Sequence, residues 1–250
     1  MIASLTIIGV GLIGGSFALA LKQAGQVKHV VGYGRSADNL QQALALGVID
    51  EATQDMATAV QQADVVVLAV PVSQIRSTVA AMVPHLKAGA LVMDAGSTKQ
   101  SVINDVKAAL QVEVLPPWFV PAHPIAGTEK SGAAAAFASL YQQRKVILTP
   151  EPETDPAAVA HAMRLWEACG ASVHTMSATH HDEVLAMTSH LPHVVAYALV
   201  DTAHDLHLDR EVFAYAAGGF RDTTRIASSS PELWRDIACA NRDALLACLE

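Results

Sequence analysis

Gly9-Val10-Gly11-Leu12-Ile13-Gly14 is the stretch whose reading decides the fold of this chain. The apolar run Leu5-Thr6-Ile7-Ile8 before it reads as a buried strand, and residues 16–21 after it read as a helix. A G-x-G-x-x-G pattern is only a glycine-rich turn until it sits between a strand and a helix, where it becomes the fingerprint of a dinucleotide site. Gly9 permits the tight turn, Gly11 lets the backbone approach a pyrophosphate, and Gly14 lets the helix pack close on the strand. The helix N-terminus then offers unpaired N–H groups and a positive dipole end to the phosphates. The backbone of Gly9, Gly11, Leu12, Ile13 and Gly14 is therefore the expected phosphate cradle.

The next strand, residues 28–34, ends in Gly34-Arg35-Ser36. A site for NAD usually carries Asp or Glu there, about 20 residues past the glycines, to bind the ribose 2′-hydroxyl. A carboxylate repels a 2′-phosphate, whereas a guanidinium pairs with it and a hydroxyl donates to it. Arg35 and Ser36 therefore predict NADP in preference to NAD, with Asp38 close enough in sequence to leave NAD use open.

Further on, helical and apolar strand patterns alternate. Residues 37–46 read as a helix ended by Gly47, and 55–62 as a short helix. Residues 64–70 form a continuous apolar strand ended by Pro71, a further expected cofactor neighbour, and 74–86 form a helix. Residues 91–95 read as a strand closed by Gly96-Ser97-Thr98-Lys99; 145–149 as a strand, 154–169 as a helix and 172–176 as a last strand. Such alternation predicts a doubly wound, mainly parallel sheet, with ligands beyond the carboxyl ends of its strands. Pro71, Ser97 and the segment Phe119-Val120-Pro121-Ala122-His123-Pro124 all fall there. His123, between two prolines on a small apolar loop, is well placed for acid–base work, because imidazole titrates near neutral pH.

From Ser177 the strand pattern stops. The expected organisation is a Rossmann-type domain over residues 1–176 and an all-α domain over 177–250. Within the latter, Ser189-His190-Leu191-Pro192-His193 sets two imidazoles around a helix-disturbing proline. Gly218-Gly219-Phe220-Arg221-Asp222-Thr223-Thr224-Arg225 carries two guanidiniums and a carboxylate beside a double glycine, and 231–249 reads as one last helix.

Composition narrows the function. Of 250 residues 52% are apolar and 16% charged, enough for a sizeable core. A net charge of −8 without a basic run argues against nucleic acid or an anionic membrane surface as partner. Cys169, Cys239 and Cys248 are few, odd in number and without metal-type spacing, which predicts a reduced, cytoplasmic setting and no metal. No basic segment precedes the first apolar run, so no signal peptide is expected, and no apolar stretch is long enough to span a bilayer.

The chain resembles the prephenate/arogenate (cyclohexadienyl) dehydrogenases of tyrosine biosynthesis over essentially its whole length. The resemblance rests on the glycine fingerprint, Gly96-Ser97-Thr98-Lys99, His123-Pro124-Ile125-Ala126-Gly127-Thr128-Glu129, Ser189-His190-Leu191-Pro192-His193 and Gly219-Phe220-Arg221-Asp222-Thr223-Thr224-Arg225. It implies an oxidative decarboxylation, giving 4-hydroxyphenylpyruvate from prephenate or tyrosine from arogenate. By the same resemblance His123 removes the proton of the ring hydroxyl, and Ser97 orients His123 and touches the nicotinamide side. Arg225 binds a substrate carboxylate, His190 and His193 line the substrate pocket, and Glu129 and Asp222 help gate it. It implies a homodimer through the helical domain. Members of the family usually continue with more helix past the position of Glu250, so the helical domain is expected to be short here.

Other readings compete. His190 and His193 lack a third ligand at useful spacing, so zinc is not expected. His180-His181 and the pair His204 and His207 read as solvated helix faces. Arg221 and Arg225 could simply pair with Asp222 or another acid. A β-hydroxyacid dehydrogenase shares the domain plan but uses a catalytic lysine in its second region, and residues 177–250 contain none. A non-catalytic NADP-sensing module would need the glycines and Arg35 but neither His123 nor Arg225. The residues do not decide between prephenate and arogenate, which differ by a keto group against an ammonium; the second histidine of the Ser-His-Leu-Pro-His segment resembles members that accept prephenate.

Overall fold

Strands buried on both faces read as continuous apolar runs because helices cover both sides of a parallel sheet. That is how the first half of the chain is built. Ile2–Ile8 (β1), Val27–Tyr33 (β2), Glu51–Thr53 (β3), Val65–Leu68 (β4), Leu91–Asp94 (β5) and Phe119–Val120 (β6) form one sheet in the order β3-β2-β1-β4-β5-β6. Every pairing in it is parallel. This is the strand order of a dinucleotide-binding sheet, and its direction reverses between β1 and β4. The crossovers are Leu12–Gln23 (α1), Ala37–Ala45 (α2), Met56–Val60 (α3), Ile75–Met82 (α4) and Gln100–Leu110 (α5). Ser36 caps α2 and Asp55 caps α3, each accepting a backbone N–H of the first turn.

The computed structural model describes residues 1–205 and 209–250, so His207 lies outside the described residues. The chain divides into two compact units, Met1–His181 and Asp182–Glu250. In the first, the large sheet ends at Pro121, which carries no N–H for a ladder. The chain passes directly into a second, three-stranded sheet. Ala122–Pro124 (β7) pairs antiparallel with Lys145–Leu148 (β8), and β8 pairs parallel with Ser172–Thr175 (β9). The helix between those last two strands, Pro156–Ala168 (α6), is capped by Asp155. It inserts Trp166 against Phe17 of α1 at a ring separation of 4.4 Å, with Tyr141 edge-on to the same indole. All three rings are fully buried, the Phe17 side chain stabilising the fold by roughly 1.5–3 kcal/mol. The Tyr141 hydroxyl also donates to the Ile13 carbonyl at 2.6 Å, tying this core to the glycine turn.

The second unit is helical. Ala178–Leu185 (α7) runs across the division and is followed by a π-helical turn, Ala186–His190. Leu191–Asp205 (α8) continues from it with Pro192 in its first turn, where a missing N–H is tolerated; the wide turn before it absorbs the proline that would kink a regular helix. Asp209–Tyr215 (α9), Gly218–Thr224 (α10), Pro231–Ala240 (α11) and Arg242–Ala247 (α12) complete the unit. The single helix expected over 231–249 is therefore two, broken at Asn241 (φ −114°, ψ 32°). Among the described residues no helix is long and apolar enough to cross a membrane.

Candidate active site

The glycine turn has the shape a pyrophosphate requires. Gly9 has φ +94°, and a Cβ there would lie 2.4 Å from the Ala69 carbonyl oxygen, so no other residue fits the turn. A Cβ on Gly14 would meet Ile7 Cγ2 at 2.5 Å, which measures how closely α1 lies on β1. Gly11 is the opposite case. It is the N-cap of α1 with no side-chain cap, and nothing lies within 4 Å of where its Cβ would be. The start of α1 is thus open beside Gly11, where a helix N-terminus offers N–H groups to an anion. Asn39 holds this turn: its Nδ2 donates to the Val10 carbonyl at 2.7 Å and its Oδ1 accepts the Ala133 N–H at 2.9 Å. Nothing in the spacing singled Asn39 out, because its partners are brought together only by the fold.

Arg35 and Ser36 follow the carboxyl end of β2, both exposed. The Gln54 amide fixes the Arg35 carbonyl at 2.6 Å, and Ser36 Oγ accepts the Asn39 N–H at 3.2 Å. That bond uses an acceptor of the Ser36 hydroxyl and leaves its hydrogen to donate. Pro71 is exposed just beyond β4.

Beyond β5 lies a buried charge cluster. Asp94 and Lys99 side chains are 0% exposed and form an ion pair. Lys99 Nζ also donates to the Ala122 carbonyl at 2.6 Å. Asp94 accepts the Ala122 N–H at 3.1 Å and the Gly96 N–H at 2.7 Å. The pair therefore clamps both backbone groups of the residue before His123 and closes the turn that presents Ser97. Lys99 had no role assigned from sequence beyond its motif.

His123 sits on β7 and is buried. Its Nδ1 lies 2.8 Å from Nε2 of His181. This corrects the reading of His181 as solvated: it is fully buried, while His180 is exposed. Successive residues on a helix point about 100° apart, so only one of the two can face inward. Ser97 is half-buried, and among the described residues its hydroxyl makes no hydrogen bond; His181 is a hydrogen-bonding partner of His123. Glu129 is exposed in the loop after β7.

In the second unit, His190 and His193 face α11 and α12. The His193 ring stacks on Trp234 (3.3 Å, 13°), and His190 stands edge-on to the same indole at 6.2 Å. Nδ1 of His193 donates to the Ser189 carbonyl at 2.8 Å, and Nδ1 of His190 lies 3.0 Å from Asn241 Nδ2. Burial holds the His193 pKa below the usual imidazole value, against the opposing pull of the Ser189 carbonyl. Asp222 lies elsewhere on this unit. It lines an apolar groove of about 320 Å³ with Met187, Leu191, Val195 and Ile226. Arg225 is exposed in the 3₁₀ turn after α10.

Comparison with known proteins divides the chain a few residues earlier than the structure does. Residues 17–175 match the family model described as prephenate dehydrogenase, nucleotide-binding domain, and residues 177–250 the one described as prephenate dehydrogenase, dimerization domain. The chain is 43% identical to the cyclohexadienyl dehydrogenase of Zymomonas mobilis, over 98% of this chain and 83% of that protein. It is 41% identical to the prephenate dehydrogenase of Bacillus subtilis, over 97% of this chain and 65% of that longer protein. The crystal structure of the Aquifex aeolicus prephenate dehydrogenase in complex with hydroxyphenyl propionate and NAD+ superposes with a TM-score of 0.91 at 39% identity, covering 100% of this chain and 86% of that one.

Proposed function

This chain belongs to the prephenate dehydrogenase family, and from that premise we propose that it oxidatively decarboxylates prephenate, arogenate or both, with hydride transfer to a nicotinamide cofactor. The observation that carries the reading is the buried His123–His181 hydrogen bond. A general base needs a lone pair aimed at the proton it removes. With Nδ1–H of His123 donated to His181, Nε2 keeps that lone pair and takes the proton of the ring hydroxyl. The bound nicotinamide supplies the hydride acceptor for the carbon bearing that hydroxyl. As the ring–carboxylate bond breaks, carbon dioxide leaves, its electron pair completes the aromatic ring, and the oxygen regains its proton from His123. Behind His123 stands the imidazole of His181.

Ser97 lies on the nicotinamide side in this reading. Arg225 takes a substrate carboxylate through its two-pronged guanidinium, His190 and His193 line the ring substrate's pocket, and Glu129 and Asp222 gate its entry. Residues 1–176 hold the dinucleotide on Gly9, Gly11, Leu12, Ile13, Gly14 and Pro71; residues 177–250 serve substrate and dimer. The homodimer reading is supported by Met187, Val195, Leu199 and Leu246, which expose apolar side chains on the helical unit. The unpaired Cys169, Cys239 and Cys248 support a reducing, cytoplasmic setting.

The cofactor reading is NADP before NAD. It is supported by a strand end with a guanidinium and a hydroxyl donor and no carboxylate before Asp38, which lies inside α2. Arg35→Ala is expected to lower kcat/KM for NADP by about 10–100-fold, the value of one or two charge-assisted hydrogen bonds, and to change that for NAD less than about threefold. Equal losses with both cofactors would remove Arg35 from the site. The whole proposal is tested by initial rates with prephenate or arogenate paired with NAD or NADP. Turnover of either ring substrate supports it. Cofactor binding without turnover of any pair favours the sensing module.

A further inference from the structure

Asn241 is buried at the break between α11 and α12. Its Nδ2 lies 2.8 Å from the Asp182 carbonyl oxygen and 3.0 Å from His190 Nδ1. A backbone carbonyl only accepts, so the NH2 of the amide, and not its oxygen, must face it. The second hydrogen of that NH2 points to His190. Nδ1 of His190 must then be the acceptor, bare of hydrogen, and a neutral ring carries its proton on Nε2. Three residues on, the logic is inverted. The Ser189 carbonyl requires a hydrogen on Nδ1 of His193, which leaves Nε2 with the lone pair. Two imidazoles against one indole are thus fixed in opposite tautomers.

We propose that Asn241 is a positioning residue that locks His190 as a neutral Nε2–H donor, and that this donor binds a carboxylate or carbonyl oxygen of the ring substrate. The second half rests on the function proposed above; the first does not. The break in the last helix has a reason on this account. A side chain that must reach both the Asp182 carbonyl and His190 turns inward at the point where a regular helix would carry it past them, and asparagine accommodates the irregular backbone by competing for local hydrogen bonds.

The tautomers are read directly by nitrogen NMR of the full-length protein labelled with ¹⁵N-histidine, His190 and His193 being assigned by loss of their signals on substitution. His190 is expected to show a bare Nδ1 and a protonated Nε2, and His193 the reverse. In Asn241→Asp the carboxylate can only accept, so the ring proton moves to Nδ1 to donate to it and the two His190 nitrogens exchange character. In Asn241→Leu they average. KM for the ring substrate is expected to rise about tenfold in Asn241→Asp, about the value of one hydrogen bond, and less in Asn241→Leu, with kcat within about threefold of the parent in both. A merely structural role would destabilise both variants, Asn241→Asp the more because its carboxylate also meets the Asp182 carbonyl, and would leave kcat and KM unseparated and the His190 nitrogens unexchanged. A proton on Nδ1 of His190 in the parent protein would overturn the proposal, whether or not either variant folds. An exchanged tautomer with unchanged KM would overturn its substrate half. Absence of turnover in the parent would instead defeat the function, leaving the NMR result standing.

Discussion

His123→Asn is expected to lower kcat by about 10³-fold, within the range that general-base catalysis contributes, while cofactor affinity changes by less than about threefold. Asparagine keeps the polarity and much of the bulk of the ring but has no nitrogen that can take a proton at working pH. The loss should fall on kcat, because the proton moves only in the transition state. His181 acts one step back. It lies 2.8 Å from Nδ1 of His123, and in the proposed tautomer, with Nδ1–H donated to it, the lone pair stays on the other nitrogen. His181→Leu removes that preference without removing the base, and a loss of about 10–100-fold is expected. The cofactor should still bind to both variants, because the glycine turn that would cradle its phosphates lies between β1 and α1 and neither substitution alters it. Single-turnover rates beside fluorescence titration with reduced cofactor separate these quantities. A His123→Asn enzyme within tenfold of the parent, at unchanged cofactor affinity, would rule out His123 as the base.

The motif that opened the chain was enough to place β1, α1 and β2, because a strand buried on both faces and a glycine turn each leave a strong local pattern. The strand Glu51–Thr53 was not legible: three half-exposed edge residues carry no periodicity. Nor was the split into two sheets: the segment around His123 reads as a small apolar loop at a strand end, and only its pairing with Lys145–Leu148 makes Ala122–Pro124 a strand. The site divides in the same way. His123, His190 and His193 stand out as residue types in unusual local settings. His181, Lys99, Asn39 and Asn241 act through partners 23 to 94 residues away in sequence. Their importance is a property of the fold, and a helix-face reading of His180-His181 has no way to choose which ring turns inward. The misreading of residues 231–249 as one helix has the same origin, because the residue at the break, Asn241, has its partners at Asp182 and His190, far away in sequence.

Lys99→Met should be the most destabilising single change in the first unit, at about 3–5 kcal/mol, the usual cost of leaving one member of a buried ion pair alone. Methionine fills nearly the same volume, so little of this is cavity. Asp94 would remain without exposure, its carboxylate held only by the N–H groups of Gly96 and Ala122. In a unit of this size each kcal/mol moves Tm by roughly 2–4 °C, so a fall of about 6–20 °C is expected. Asp94→Leu should be comparable, because it strands the ammonium. The double variant Asp94→Leu/Lys99→Met should lose much less than the sum, since no charge is left buried and neighbouring partners are not additive. It should not reach the parent, because the Gly96 and Ala122 N–H groups and the Ala122 carbonyl lose their partners. Activity provides the second readout. The clamp grips both backbone groups of Ala122, and His123 is the next residue on β7. At a temperature where Lys99→Met is fully folded by circular dichroism, kcat should still fall about tenfold, because a small displacement of β7 takes the base off the line to the ring hydroxyl. A Tm within 2 °C of the parent would mean that the buried ammonium is dispensable, and that β7 is held in place by its pairing with β8 alone.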